Sequence, residues 1–182
     1  MRTIITAVLA LAVTFAVPNA FAGCPTITGP HAVGGAEWFQ YDFDTNCAST
    51  SGNVSSTTLS CYSTPAYSFN YQSGGPFGGT VSYSFTADVT SSVWEADIFY
   101  DFDDPNVNWY DYLLATVTVT HNGSSSQYYI VIHHGTNGSA SCDRPYVNFS
   151  AQSGDTITID ITGSNYYSNT SMKASAPTLF RY

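Results

Sequence analysis

Positive charge is what this sequence has least of. Its 182 residues hold four Lys and Arg against thirteen Asp and Glu, a formal net charge of −9. One of the four, Arg2, lies in the leader described below, which leaves Arg144, Lys173 and Arg181. Such a surface repels phosphate backbones and anionic lipid, so nucleic acid is excluded as a partner. Charges of both signs together are only 9% of the chain. This is therefore not a highly charged, halophile-type surface, and Ser, Thr, Asn, Gln and Tyr do the solvating. Helical periodicity is also missing, since no window longer than two turns carries it. There is no C-x-x-C and no zinc-type cysteine spacing, no G-x-S-x-G elbow, no Pro/Ser-rich linker and no internal repeat.

What is present begins with a leader. Arg2 is followed by an apolar run from Ile4 to Val17, a breaking Pro18, and the small-x-small stretch Ala20-Phe21-Ala22. That order is the pattern of a secretory signal peptide, residues 1–22, with cleavage after Ala22. The run is too short, and too near the cleavage site, to span a bilayer. The competing reading is lipidation of Cys24, since Ala22-Gly23-Cys24 half-matches a lipoprotein box with Phe21 where Leu is usual. The mature chain, residues 23–182, is about 160 residues long and suits one domain with a full core. The compartment expected is extracellular or periplasmic.

An exported chain with four cysteines predicts two disulfides. Of the three pairings of Cys24, Cys47, Cys61 and Cys142, Cys47–Cys61 would close a short Ser/Thr/Asn-rich loop. That closure is worth about 3 kcal/mol in the chain-entropy view. Cys24–Cys142 would then tie the N-terminus to a distant loop.

The stretch from Val93 to Thr120 organises the chain. Trp94, Ala96, Ile98, Tyr100 and Phe102 fall on one face of a strand, and Glu95, Asp97 and Asp101 on the other, solvated one. Leu113, Ala115, Val117 and Val119 form the inner face of a second strand. Elsewhere, Phe39/Tyr41/Phe43, Tyr67/Phe69/Tyr71, Val81 to Val89, and Ile157/Ile159/Ile161 alternate with polar residues. Residues 23 to 36 read as an irregular lead-in, and Asn46 to Ser56 and Gly135 to Ser141 as turns and loop. Gln127 to His134, apolar on both faces, reads as a central strand. Asn122-Gly123 signals a hairpin lengthened by the serines after it. Nine to ten short strands with Gly/Asn/Pro turns predict an all-β, two-sheet antiparallel β-sandwich, immunoglobulin-like or jelly-roll-like.

Four constellations are candidates for chemistry. Asp101, Asp103, Asp104 and Asp111, with Asn106 and Asn108, crowd one loop with no basic neighbour. Hard oxygen ligands at that density suit Ca²⁺; the alternative is a solvated acidic loop with Asp and Asn capping turns. Trp109 and Tyr110 in the same loop, Trp38, and Tyr166 with Tyr167 at a turn fall out of phase with the core. Flat rings beside amides and carboxylates would make a platform for sugar rings; the alternative is burial under neighbouring loops. His121, His133 and His134 lie on or near adjacent strands without a readable third ligand. Finally, Glu95-x-Asp97-x-x-x-Asp101 partly resembles the E-x-D-x-x-x-E strand motif of jelly-roll β-glucanases such as laminarinases. The resemblance covers one strand, with Asp101 in place of the second Glu. It implies a nucleophile at Glu95 and an acid/base at Asp101, whereas the plain reading is a polar, solvated strand face.

Asn53, Asn122, Asn137, Asn148 and Asn169 begin N-x-S/T sequons. The function expected is a secreted, non-catalytic binding protein, directed to glycan through loop aromatics and polar residues and supported by calcium, with no organic cofactor. One alternative is a structural or self-assembling surface protein, because a Lys-poor surface leaves strand edges open to pairing with another extracellular protein or a second copy. The other is a small glycan hydrolase.

Overall fold

The structure is a computed structural model that describes residues 25–33, 36–43, 47–59, 63–74, 78–105, 111–134 and 138–182. The expected signal peptide, Cys24, Cys61, Asn106, Asn108, Trp109 and Tyr110 lie outside these residues. The described chain is almost entirely strand. In order these are β1 (Pro25–Val33), β2 (Ala36–Phe43), β3 (Ser49–Gly52), β4 (Val54–Thr58), β5 (Pro65–Phe69), β6 (Gly79–Thr86), β7 (Ser91–Asp97) and β8 (Tyr100–Asp104). There follow β9 (Tyr112–His121), β10 (Ser124–His134), β11 (Gly138–Asp143), β12 (Tyr146–Ala151), β13 (Thr156–Ser164), β14 (Ser171–Ser175) and β15 (Thr178–Arg181).

These pair antiparallel in three five-stranded sheets, ordered β1-β2-β15-β7-β12, β11-β8-β14-β5-β4 and β10-β9-β13-β6-β3. The first two are halves of one bent layer. β7 runs into β8, β11 into β12 and β14 into β15, each chain passing from one half to the other through a short break. The third sheet is the opposite layer, so the molecule is a two-layer β-sandwich, as the alternation predicts. The strand segments outnumber the nine to ten expected because the bend cuts long strands in two and because strands also form in stretches read as lead-in, turn and loop. In particular, Val93 to Phe102 is two strands, not one.

The core between the layers is aromatic. Trp94 is fully buried, stacked on Phe149 at 6.2 Å and flanked by Tyr41 and Phe85. Phe43 meets Tyr83 edge-on across the layers. Leu113, Ala115, Val117, Val119, Ile157, Ile159 and Ile161 all face this core, in the phase read from sequence. Arg181 closes one edge: its guanidinium lies 4.2 Å from the Phe39 ring centroid and bonds both Asp88 and the Tyr41 hydroxyl. Gly163 has no room for a side chain, since a Cβ there would sit 2.5 Å from Phe69 Cγ.

Several expectations are corrected. The lead-in is strand β1, which tolerates Pro25 and Pro30 because it is an edge strand with a register shift between Thr28 and His31. The turn cluster at 46–56 contains β3 and the start of β4, and the loop at 135–141 contains the start of β11. β10 is an edge strand rather than a central one. Tyr128 turns toward the core, while Tyr129 on the other face is 55% exposed. The serines after Gly123 do not lengthen the hairpin. Ser124 pairs directly with His121, and Asn122 and Gly123 make a two-residue turn with φ of +48° and +82°, the double positive that type I′ demands.

Candidate functional site

The outer face of the β1-β2-β15-β7-β12 sheet gathers the most chemistry. Trp94 and Ala96 of β7, Leu179 of β15, Tyr41 of β2 and Phe149 of β12 are buried in the core. Alternation then points their neighbours outward. Register lines these up in two rows across the sheet: Gln40, Phe180, Glu95 and Asn148, then Asp42, Thr178, Asp97 and Tyr146.

Aromatic rings bracket both rows. Trp38 and Phe180 lie 5.6 Å apart, tilted. Tyr146 and Tyr182 are 61% and 51% exposed, and the Tyr182 hydroxyl is 3.5 Å from Glu95 Oε1. Arg144, in the link where β11 passes into β12, swings over this face. Its guanidinium sits 5.1 Å from the Phe99 ring centroid and 5.2 Å from that of Phe180, and Nη2 is 2.5 Å from Asp97 Oδ2. Gln40 Nε2 donates to both oxygens of Asp42 at 2.9 Å.

Asp97 departs from the solvated position expected of it. It is only 5% exposed, because Arg144 and the rings beside it cover the carboxyl. Burial pushes its pKa up to about 7 against the lowering pull of Arg144, and the nearby Glu95 charge adds to the rise. Asp97 Oδ1 is buried with no hydrogen-bond partner among the described residues. Burial, then the Glu95 charge, likewise raise the Tyr182 hydroxyl. This face offers rings for stacking, carboxylates as acceptors and a guanidinium and amides as donors.

The structure splits the acidic cluster. Asp104 and Asp111 are fully buried and share the Thr170 hydroxyl, at 3.3 and 3.0 Å. Asp111 also accepts the Tyr166 amide at 2.5 Å. Asp101 and Asp103 fall on the opposite face of β8, where Asp101 meets Lys173 at 3.8 Å and Asp103 is exposed. The expected four-carboxylate set is therefore not one cluster, because strand alternation parts its members. Among the described residues no group of three or more His, Cys, Asp or Glu is placed to hold a metal.

Of the expected aromatics, Trp38 lies on the outer sheet face. Tyr166 and Tyr167 pack edge-on at 5.3 Å in the turn after β13, a separate region anchored by Asp111. A depression of about 340 Å³ adjoins that turn, lined by residues including Asn70, Asn165, Ser168 and Thr170. Glu95 and Asp97 share the outer sheet face, but Asp101 sits beyond the bend on another sheet, so the glucanase-like motif does not form one constellation. Cys47 is buried and disulfide-bonded, and no described cysteine is free.

Sequence reasoning missed Tyr146, Arg144, Phe180 and Tyr182. The signal was there for three of them. Once Phe149 and Leu179 are inward, Tyr146, Phe180 and Tyr182 are outward by phase. Arg144 is in a link, and no periodicity reports where a link crosses.

No family model and no curated protein matches this chain. Solved structures do overlap it. TmCBM61 in complex with β-1,4-galactotriose shares 15% identity at a TM-score of 0.45, over 76% of this chain and 91% of that one. A family 35 carbohydrate-binding module from Clostridium thermocellum shares 12% at 0.45, over 78% and 96%. The CBM22-1–GH10 modules of the C. thermocellum xylanase 10B, complexed with xylohexaose, share 11% at 0.49, over 76% of this chain and 26% of that one. These are resemblances of strand arrangement at low identity, and no ligand for this chain follows from them.

Proposed function

We propose that this protein is a secreted, non-catalytic glycan-binding β-sandwich whose binding surface is the outer face of the β1-β2-β15-β7-β12 sheet. The observation that carries the reading is the row of outward rings, Trp38, Phe180, Tyr182 and Tyr146, flanking the Glu95–Asp97–Arg144 cluster on one open face. Sugar rings stack their C–H faces on such rings and hydrogen-bond between them. Asp42, Glu95 and Asp97 outnumber the one cation, which is already held by Asp97, so the face favours neutral sugars over uronates.

The test is a glycan array carrying neutral and uronate oligosaccharides, followed by isotherms on the neutral hits. Trp38→Ala and Tyr146→Ala should each weaken binding by about tenfold or more, as expected for loss of a stacking ring. The protein should come from a host without N-glycosylation, because Asn148 lies on this face and begins a sequon. An array with no hit, or hits indifferent to both variants, would sink the reading. Release of reducing ends would instead favour hydrolysis, and concentration-dependent association through Tyr146 and Tyr182 would favour self-assembly.

Calcium support belongs to the same proposal, now centred on Asp104 and Asp111. Two fully buried carboxylates on one hydroxyl suit a hard cation. A ligand at a hundredfold over its dissociation constant stabilises by about 2.7 kcal/mol. Millimolar calcium should therefore raise the melting temperature measured in EDTA, and Asp104→Asn should remove the rise while Asp103→Ala keeps it. A melting temperature indifferent to calcium retires this part alone.

A further inference from the structure

A second concavity lies away from the sheet face, at the edge of the sandwich. It is a cleft of about 520 Å³ between the β9–β10 hairpin, the link from β6 to β7 and the turn from β12 to β13. Its volume falls within the roughly 300–1,000 Å³ of small-ligand sites. Val119, Ala151 and the half-buried Tyr128 supply its apolar part, with Tyr128 held 6.0 Å from Phe149.

The walls are polar and held in place. His121 Nδ1 is 2.5 Å from Asp155 Oδ1, and Asn122 Nδ2 is 2.9 Å from His121 Nε2. With Nδ1–H donating to the carboxylate, Nε2 accepts from the amide, so one relay orients carboxylate, ring and amide. Asp155 is itself anchored: its second oxygen accepts the Gln152 amide at 2.7 Å, and its own carbonyl accepts Ala87 N–H. Ser153 N–H donates to Thr90 Oγ1 at 3.0 Å and ties the β12–β13 turn to the β6–β7 link. A cleft whose rim is bonded in advance loses little freedom on binding.

The chemistry of the lining selects a class. It holds hydroxyls from Ser124 and Ser126 and the side-chain amides of Asn122 and Gln152, with no Lys or Arg. Its one carboxylate is already engaged. An anionic ligand finds no Lys or Arg to pair with, a cationic one finds only the carboxylate that His121 and the Gln152 backbone N–H already hold, and a purely apolar one displaces water from these polar groups without replacing its hydrogen bonds. We propose that the sandwich-edge cleft is a second, separate binding site that takes a single neutral sugar unit, ringed by the His121–Asn122–Asp155 relay and floored by Tyr128.

The experiment is amide-resolved NMR titration of the full mature chain with D-glucose, D-galactose, D-mannose and D-xylose, each at millimolar concentration. At least one sugar should shift the amides of Asn122, Gly123, Gln152 and Ser153 saturably. Asn122→Gly keeps a residue suited to the positive-φ turn while removing the amide, and His121→Ala removes the ring. Each should weaken the response by about tenfold, with the remaining spectrum dispersed as before. Trp38→Ala should leave the cleft response intact even where it abolishes binding at the sheet face, so the two sites can fail separately. Silence of the cleft amides toward all four sugars overturns the proposal. So does a cleft response that survives both cleft variants, or one lost in Trp38→Ala.

Discussion

At the scale of single residues, two carboxylates carry opposite pH signatures. Asp97 is held with its pKa raised from the ordinary carboxylate value to about 7. The folded state prefers it protonated. Its contribution to stability is full below the unfolded value and is lost as pH rises through about 7. Asp97→Asn should therefore flatten the fall in stability between mildly acidic and mildly alkaline pH, read by urea melts at both. An unchanged pH dependence would show that the carboxyl is not buried as described. Asp155 runs the other way. The Gln152 amide, and then His121, lower its pKa. Its contribution is present above the unfolded value and lost as pH falls through the folded one. Asp155→Asn should erase part of the acid limb and leave the alkaline limb alone. Trp94 is the third case. Fully buried among Tyr41, Phe85 and Phe149, it should cost about 3–5 kcal/mol on replacement by Ala, measured as a fall in the denaturation midpoint.

At the scale of elements, the hairpin and the bend make the fold. Asn122 and Gly123 both sit at positive φ, where a Cβ costs about 1–2 kcal/mol. Gly123→Val should lower the melting temperature accordingly, whereas Ser125→Val, beyond the turn, should not. The hairpin was legible because Asn-Gly is a local signal with a local cause. The bend was not. Trp94 to Phe102 keeps perfect alternation through Ile98 and Phe99, so side-chain phase is blind to the change of sheet. The same blindness gave β10 a central place. Alternation shows that both faces of a strand are apolar, but only the pairing order shows that β10 has a strand neighbour on one side alone.

At the scale of the molecule, one measurement checks export and covalent closure together. Cys47 is disulfide-bonded, so alkylation of native material without reductant should leave it unmodified. Mass spectrometry of the same sample should find the chain starting at Gly23 and should name the partner of Cys47. Modification of Cys47 in native material would contradict the bond.

The amino-acid sequence by itself determined the fold class, the inward face of nearly every long strand and the shortage of cations. Each of these follows from residues two apart along the chain or from composition. Tertiary structure alone decided the candidate site. Trp38, Phe180, Glu95 and Tyr146 come from four strands far apart in sequence, and only the pairing of β2, β15, β7 and β12 sets them side by side. It alone brought Arg144 across the bend onto Asp97, turning a polar strand residue into a buried carboxyl. And it set Asp104 beside Asp111 on the Thr170 hydroxyl, with Asp101 and Asp103 on the other face of β8.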